Sequence, residues 1–267
     1  MLLCASISLL CGCGTSSSPT NTGPGGTYLS LNGNWEIIGY MAGSGGSTLT
    51  SPIANFEGAL QSSGATVTGT FHTQDISNFT SPCVTLNQDL PVTGTLDTSG
   101  NLTLSVVIAG GKATIHQTLS SNLQVNPGFG SFVINGGKCA MAQVSSLVGQ
   151  IAPANGTYVG TFSAYGSSAS SIVTVTLTQL ATPDADGLFP LSGTVVAAGS
   201  ACNGSFSFTG GAITGNSINL LTETAYQSPN GKFEGAMAPD ASAINATEVT
   251  FYYPNGCSLA GGILTRQ

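Results

Sequence analysis

The chain reads as an all-β protein: two tandem antiparallel β-barrel or β-sandwich domains that arose by internal duplication. Three observations predict this. Apolar residues recur at every second position, and no segment carries a sustained i, i+3, i+4 stripe. Turn signals interrupt the runs at about the 8–12-residue spacing of small all-β domains. A set of short marks in the first half of the chain returns, in the same order, in the second.

The N-terminus stands apart from that pattern. Leu2 to Leu10 are apolar or small, too few to cross the ~30 Å hydrocarbon core as a helix but suited to the h-region of a secretory signal. The segment ends in Leu10-Cys11-Gly12-Cys13, which resembles the lipobox of bacterial lipoproteins. The resemblance implies that residues 1–12 leave as a signal peptide and that Cys13 becomes the lipidated first residue. Its acyl chains would hold the protein to a membrane, each buried methylene adding about 0.8 kcal/mol. With Gly14 rather than Asp next to it, lipoprotein sorting as known for enterobacteria implies the outer membrane. An ordinary cleaved signal is the alternative, and a start codon upstream of Met1 would supply the basic residues missing before Lys112. Residues 13–30, rich in Gly, Ser, Thr, Pro and Asn, read as a flexible tether.

The duplication sets the domains. Asn32-Gly33-Asn34-Trp35 matches Asn155-Gly156-Thr157-Tyr158 at an offset of 123, and Val67 to Phe71 matches Leu191 to Val195 at 124. Ser81-Pro82-Cys83 matches Ser200-Ala201-Cys202 at 119, and Val92-Thr93-Gly94 matches Ile213-Thr214-Gly215 at 121. Phe132 to Cys139 matches Phe251 to Cys257 at 118 to 120. These marks place a first β domain at 31–145, a linker at 146–154 and a second β domain at 155–267, with about eight strands in each. Ala65 to His72 alternates, Val67, Gly69 and Phe71 on one face and Thr66, Thr68, Thr70 and His72 on the other. Ser170 to Leu180 alternates too, with Ile172 set against a Thr-rich face.

Four cysteines repeat with the domains: Cys83 with Cys139, 56 apart, and Cys202 with Cys257, 55 apart. Pairing within each copy uses one geometry twice, whereas pairing between copies needs another, so a disulfide is expected in each domain of an exported protein. Four buried thiols are the alternative.

Charge excludes several functions. The whole chain holds 4 Lys+Arg and 11 Asp+Glu, a net charge of −7. No basic stripe is available to neutralise phosphates, so nucleic acid is not an expected partner. Few carboxylates also predicts folding nearly independent of pH. One Trp and seven Tyr are too sparse for the aromatic girdles of a membrane barrel.

No nucleotide, hydrolase or zinc-protease motif occurs, and no catalytic residue, metal ligand or cofactor is assigned. His72 and His116 read as solvated, with Asp75 the nearest third ligand if they were a metal site. Asp184-x-Asp186-Gly187 reads as an Asx-stabilised turn rather than a calcium loop. Glu36, Glu57, Glu223 and Glu234 could supply a carboxylate pair, but spacing alone joins no two of them.

Gly33-x-Trp35, repeated as Gly156-x-Tyr158, resembles the G-x-W opening of lipocalins and avidins, as does Gly69-Thr70-Phe71. That resemblance implies an aromatic closing a barrel end, Trp35 and Tyr158 lining either a ligand cavity or the core. The whole chain resembles Gly/Ser/Thr-rich lipoproteins of environmental bacteria such as acidobacteria, a similarity that brings no activity with it. The expectation is therefore a lipid-anchored envelope protein, a non-catalytic structural or binding module contacting carbohydrate or another envelope protein. A carrier of a small apolar ligand inside a barrel is second and an envelope hydrolase third.

Overall fold

The computed structural model describes residues 20–23, 25–42, 49–73, 88–108, 111–119, 128–136, 141–219, 231–252 and 256–267. Every regular element among them is a strand. A short hairpin, β1 (Thr20–Gly23) and β2 (Gly26–Leu29), precedes two closed barrels of eight strands each. The first barrel comprises β3 (Gly33–Ala42), β4 (Leu49–Ser63), β5 (Thr66–His72), β6 (Asp89–Leu96), β7 (Asn101–Ile108), β8 (Gly111–Thr118), β9 (Gly128–Gly136) and β10 (Met141–Ile151). The second comprises β11 (Gly156–Ser163), β12 (Ser170–Gln179), β13 (Phe189–Gly199), β14 (Gly204–Thr214), β15 (Ser217–Asn219), β16 (Gly231–Met237), β17 (Ala243–Phe251) and β18 (Cys257–Arg266). Barrels settle the choice left open with sandwiches.

Both barrels run up and down, and closure leaves no edge strand unpaired. The first closes where Ser145–Ile151 of β10 runs opposite Tyr40–Asn34 of β3. The second closes through a shorter seam, Tyr158 opposite Arg266 and Val159 opposite Thr265. Four of the five duplicated marks fall on β3, β5, β6 and β9 and return on β11, β13, β14 and β17, strands of the same rank; the fifth, the cysteine mark at 81–83, lies outside the described residues.

Alternation builds the interiors. Val67 and Phe71 of β5 point inward with Trp35, Phe56, Leu60, Leu104 and Ile115. In the second barrel Val173, Val175 and Leu177 pack with Tyr158, Phe162, Val195 and Phe233. The residues of the two G-x-aromatic marks are used alike. Trp35 donates its indole N–H to Leu31 O at 2.7 Å, and Tyr158 OH reaches Ala154 O at 3.4 Å, each four residues back. The glycine before each has φ near +140° (Gly33 +142°, Gly156 +141°), where a Cβ would be strained. A Cβ there would press on the last strand of its own barrel: Gln150 Nε2 in one, Arg266 Nε in the other.

Three expectations are corrected. The tether ends earlier than residue 30, because Thr20–Leu29 folds as a hairpin against the first barrel. Asn21 donates to Leu29 O and Ser62 Oγ and accepts from Gly64 N, while Tyr28 joins the core. The linker at 146–154 is mostly strand, since β10 runs to Ile151 and closes the barrel; only residues 152–155 connect the two. Ile172 lies on the outer face with Thr174, Thr176 and Thr178, 54% exposed. Its inward neighbour Ser171 exchanges hydrogen bonds with the backbone of Cys202 (2.8 Å each), so a polar residue takes the core side there.

Candidate functional site

Outward-facing residues that are nonetheless buried mark where the barrels meet. Trp35 points into the first barrel, so Asn34 and Glu36 on either side point out. Asn34 is only 2% exposed because it docks on the β14–β15 turn of the second barrel. Its Nδ2 donates to Gly215 O at 2.7 Å and its Oδ1 accepts from Gly215 N at 2.8 Å, across 181 residues of sequence. On β4, Phe56 and Leu60 face inward, whereas Ala59 packs outward into the core cluster of the second barrel.

Beside this joint opens a cleft of about 730 Å³, within the range of small-ligand sites. One wall is the outer face of the β4–β5 hairpin, where Gln61, Ser63, Thr66 and Thr68 stand in register, Gln61 opposite Thr68 and Ser63 opposite Thr66. The other is the segment after β12, Leu180 to Pro183, with Phe189 behind it. More than half of the lining residues carry an amide or a hydroxyl, and none carries a charge. Some are already committed: Gln150 Nε2 donates to Asn32 O, Gln179 Oε1 accepts from Ala154 N, and Asn155 Oδ1 from Gln179 N. Gln61, Thr66, Thr68 and Thr182 make no side-chain hydrogen bond among the described residues and so present donors and acceptors to the cleft.

Away from the cleft, strand register lines up four ionisable residues on the outer face of the first barrel. Glu36 lies opposite Glu57, Glu57 opposite His72, and His72 opposite Asp89. His72 Nδ1 and Asp89 Oδ1 are 2.8 Å apart on the half-exposed end of the row. Glu57 is only 1% exposed and accepts from Asn55 Nδ2. Burial foremost, then the charge of Glu36, pushes its carboxyl well above the usual range, against the smaller effect of the Asn55 bond. Burial alone pushes Glu36 up to about 7.

Trp35 and Tyr158 are fully buried core residues, one in each barrel, and neither lines the cleft. Cys202 and Cys257 form the expected bridge, Cα atoms 5.9 Å apart, tying the β13–β14 loop to the start of β18. Cys13, Cys83, Cys139, Asp75 and Glu223 lie outside the described residues. His116 sits on β8 against Thr103 Oγ1 at 3.1 Å, away from His72 on β5. Asp184 Oδ1 accepts from the N–H groups of Asp186 and Leu188, the Asx turn expected there. Glu234 faces Glu248 across β16 and β17, with Lys232 between them at 3.4 and 2.6 Å. The cleft itself was not anticipated from sequence; its one signal was the Thr-rich outer face of β5.

No protein-family model and no curated protein matches the chain. Among solved structures, the Myxococcus xanthus hemagglutinin in complex with a3,a6-mannopentaose aligns over 87% of this chain and 99% of its own, at 15% identity and a TM-score of 0.22. A likeness at that level transfers nothing to this chain.

Proposed function

We propose that the protein is a non-catalytic binding module of the cell envelope, lipid-anchored through Cys13, whose inter-barrel cleft takes a neutral carbohydrate. One observation carries this reading: a cleft of ligand size lined by amides and hydroxyls, with no charged side chain. Sugars present dense hydroxyls on one aspect and C–H faces on another. Gln61, Thr66 and Thr68 suit the first, and Leu180, Pro183 and Phe189 suit the second. A charged substrate or phosphate would find no counter-ion among the described residues that line it. The facing carboxylates Glu36 and Glu57 lie at the joint rather than in the cleft, with Glu57 buried.

The test is binding of the full chain to an array of neutral and acidic glycans, followed by titration calorimetry on any that bind. Neutral oligosaccharides are expected to bind. The double variant Gln61→Ala, Thr66→Val should weaken binding about tenfold, since each net hydrogen bond contributes about 0.5–1.5 kcal/mol. Absence of binding to every neutral glycan, or binding indifferent to the double variant, would overturn the proposal.

A further inference from the structure

The Glu36–Glu57 pair poses a problem of charge balance that the protein atoms around it do not solve. Among the described residues no Lys or Arg side chain pairs with either carboxylate, and Glu57 accepts a side-chain hydrogen bond from a neutral amide. Glu57 Oε2, Asn55 Oδ1 and Thr214 Oγ1 are all buried and have no hydrogen-bond partner among the described residues. Their residues are 1%, 9% and 5% exposed.

Strand and turn geometry bring these residues to one place. Asn55 Nδ2 holds the Glu57 carboxylate from the same strand. Gly215 lies against that carboxylate so closely that a Cβ on it would sit 2.6 Å from Glu57 Cδ. Thr214 precedes Gly215, and because Ile213 points into the second barrel, Thr214 points out toward the first. A buried oxygen acceptor without a donor costs about 1–3 kcal/mol, more for a charged group. A proton on Glu57 Oε2 satisfies that oxygen and one neighbouring acceptor and leaves the third. An electropositive centre among them serves all at once.

We propose that Glu36, Glu57, Asn55 and Thr214 form a site for a hard divalent cation, of which calcium is the best fit, that pins the second barrel to the first. Every available donor is an oxygen, the set hard cations select; calcium takes about 6–8 oxygens in flexible geometry, and magnesium demands a stricter octahedron. Asp89 holds the Nδ1 of His72, and the imidazole does not converge with the two glutamates among the described residues. Among the described residues no three His, Cys, Asp or Glu converge, so the donor set is mixed: two carboxylates, an amide and a hydroxyl. The site is independent of what the cleft binds.

Its test uses the full chain stripped with chelator at neutral pH. Added calcium should raise the melting temperature by several degrees, and magnesium by less. Terbium should bind and luminesce when the single tryptophan is excited, because Trp35 adjoins Glu36, and calcium should displace it. Glu57→Gln should melt higher than wild type in chelator and lose the calcium response. Thr214→Val, which keeps both carboxylates, should weaken terbium binding at least threefold. The proposal is overturned if calcium shifts nothing while Glu57→Gln still stabilises, which assigns the pair to protons alone. A calcium response that survives in Glu57→Gln overturns it too, placing the ion elsewhere. Glycan binding, read separately, is unaffected by either failure.

Discussion

Asn34→Ala is the sharpest probe of how the two barrels are held together. The Asn34 amide makes two short, buried hydrogen bonds to both backbone polar groups of Gly215. Alanine removes both and leaves a buried N–H and a buried C=O. An orphaned group costs about 1–3 kcal/mol, so the pair sets a range of about 2–6 kcal/mol. Asn34 also lines the cleft, and water entering there recovers part of the loss, so the lower end, about 2–3 kcal/mol, is expected. For a chain of this size that lowers the melting temperature by roughly 4–12 °C. Urea unfolding followed by Trp35 emission, which reports the first barrel alone because the chain has one Trp, should be compared with calorimetry of the whole. In the wild type the two are expected to coincide; in Asn34→Ala they should separate as the barrels uncouple. Asn34→Asp keeps an acceptor for Gly215 N but turns a carboxylate toward Gly215 O, beside Glu36, and should cost more than alanine at neutral pH. If Asn34→Ala stays within about 0.5 kcal/mol of wild type, the range of ordinary surface substitutions, the joint does not rest on this residue.

Two further outcomes follow from the second barrel. Reducing Cys202–Cys257 opens a loop of 55 residues and should destabilise that barrel by up to about 4 kcal/mol in the chain-entropy model; calorimetry in reductant, with intact mass to count thiols, checks it, and an unchanged transition contradicts it. Glu248 is held below the usual range chiefly by its hydrogen bond from Lys232. Its contribution is therefore present above its unfolded pKa and lost as pH falls through the folded value. Lys232→Ala should move the Glu248 midpoint upward in a carboxyl NMR titration; an unmoved midpoint shows that the ammonium does not set it.

What sequence could deliver depended on the range of the interaction. Val67 and Phe71 were legible as core because alternation is a local property, and the hairpin partners of β5 extend the same rule. Cys202 and Cys257 were legible because duplication repeats a spacing. Ile172 was not, because the inward place beside it belongs to Ser171, a polar residue held by the Cys202 loop some thirty residues on. The end of the first barrel was misplaced for a similar reason. Nothing in Ser145 to Ile151 separates linker from strand until it meets Tyr40 to Asn34, more than a hundred residues away. The cleft needs two barrels and an orientation between them, neither of which a periodicity encodes.

The glutamates make the same point about chemistry. In each barrel one glutamate faces another across neighbouring strands, Glu36 with Glu57 and Glu234 with Glu248. The second pair has Lys232 between its carboxylates and is half-exposed, and Glu248 is held low. Beside the first no Lys or Arg stands among the described residues, and the other barrel covers it, so both members are held high. Scarcity of carboxylates therefore does not make folding indifferent to pH, as composition suggested. A carboxyl whose folded pKa is raised gives stability below its unfolded value that is lost as pH rises through the folded one, which for Glu36 is about 7. Glu248 works in the opposite sense at the acid end. Two opposed contributions from the same residue type, at the same cross-strand spacing, come only from what covers each pair. In the first barrel that cover is the β14–β15 turn, so the ionisation of one domain is governed by its contact with the other.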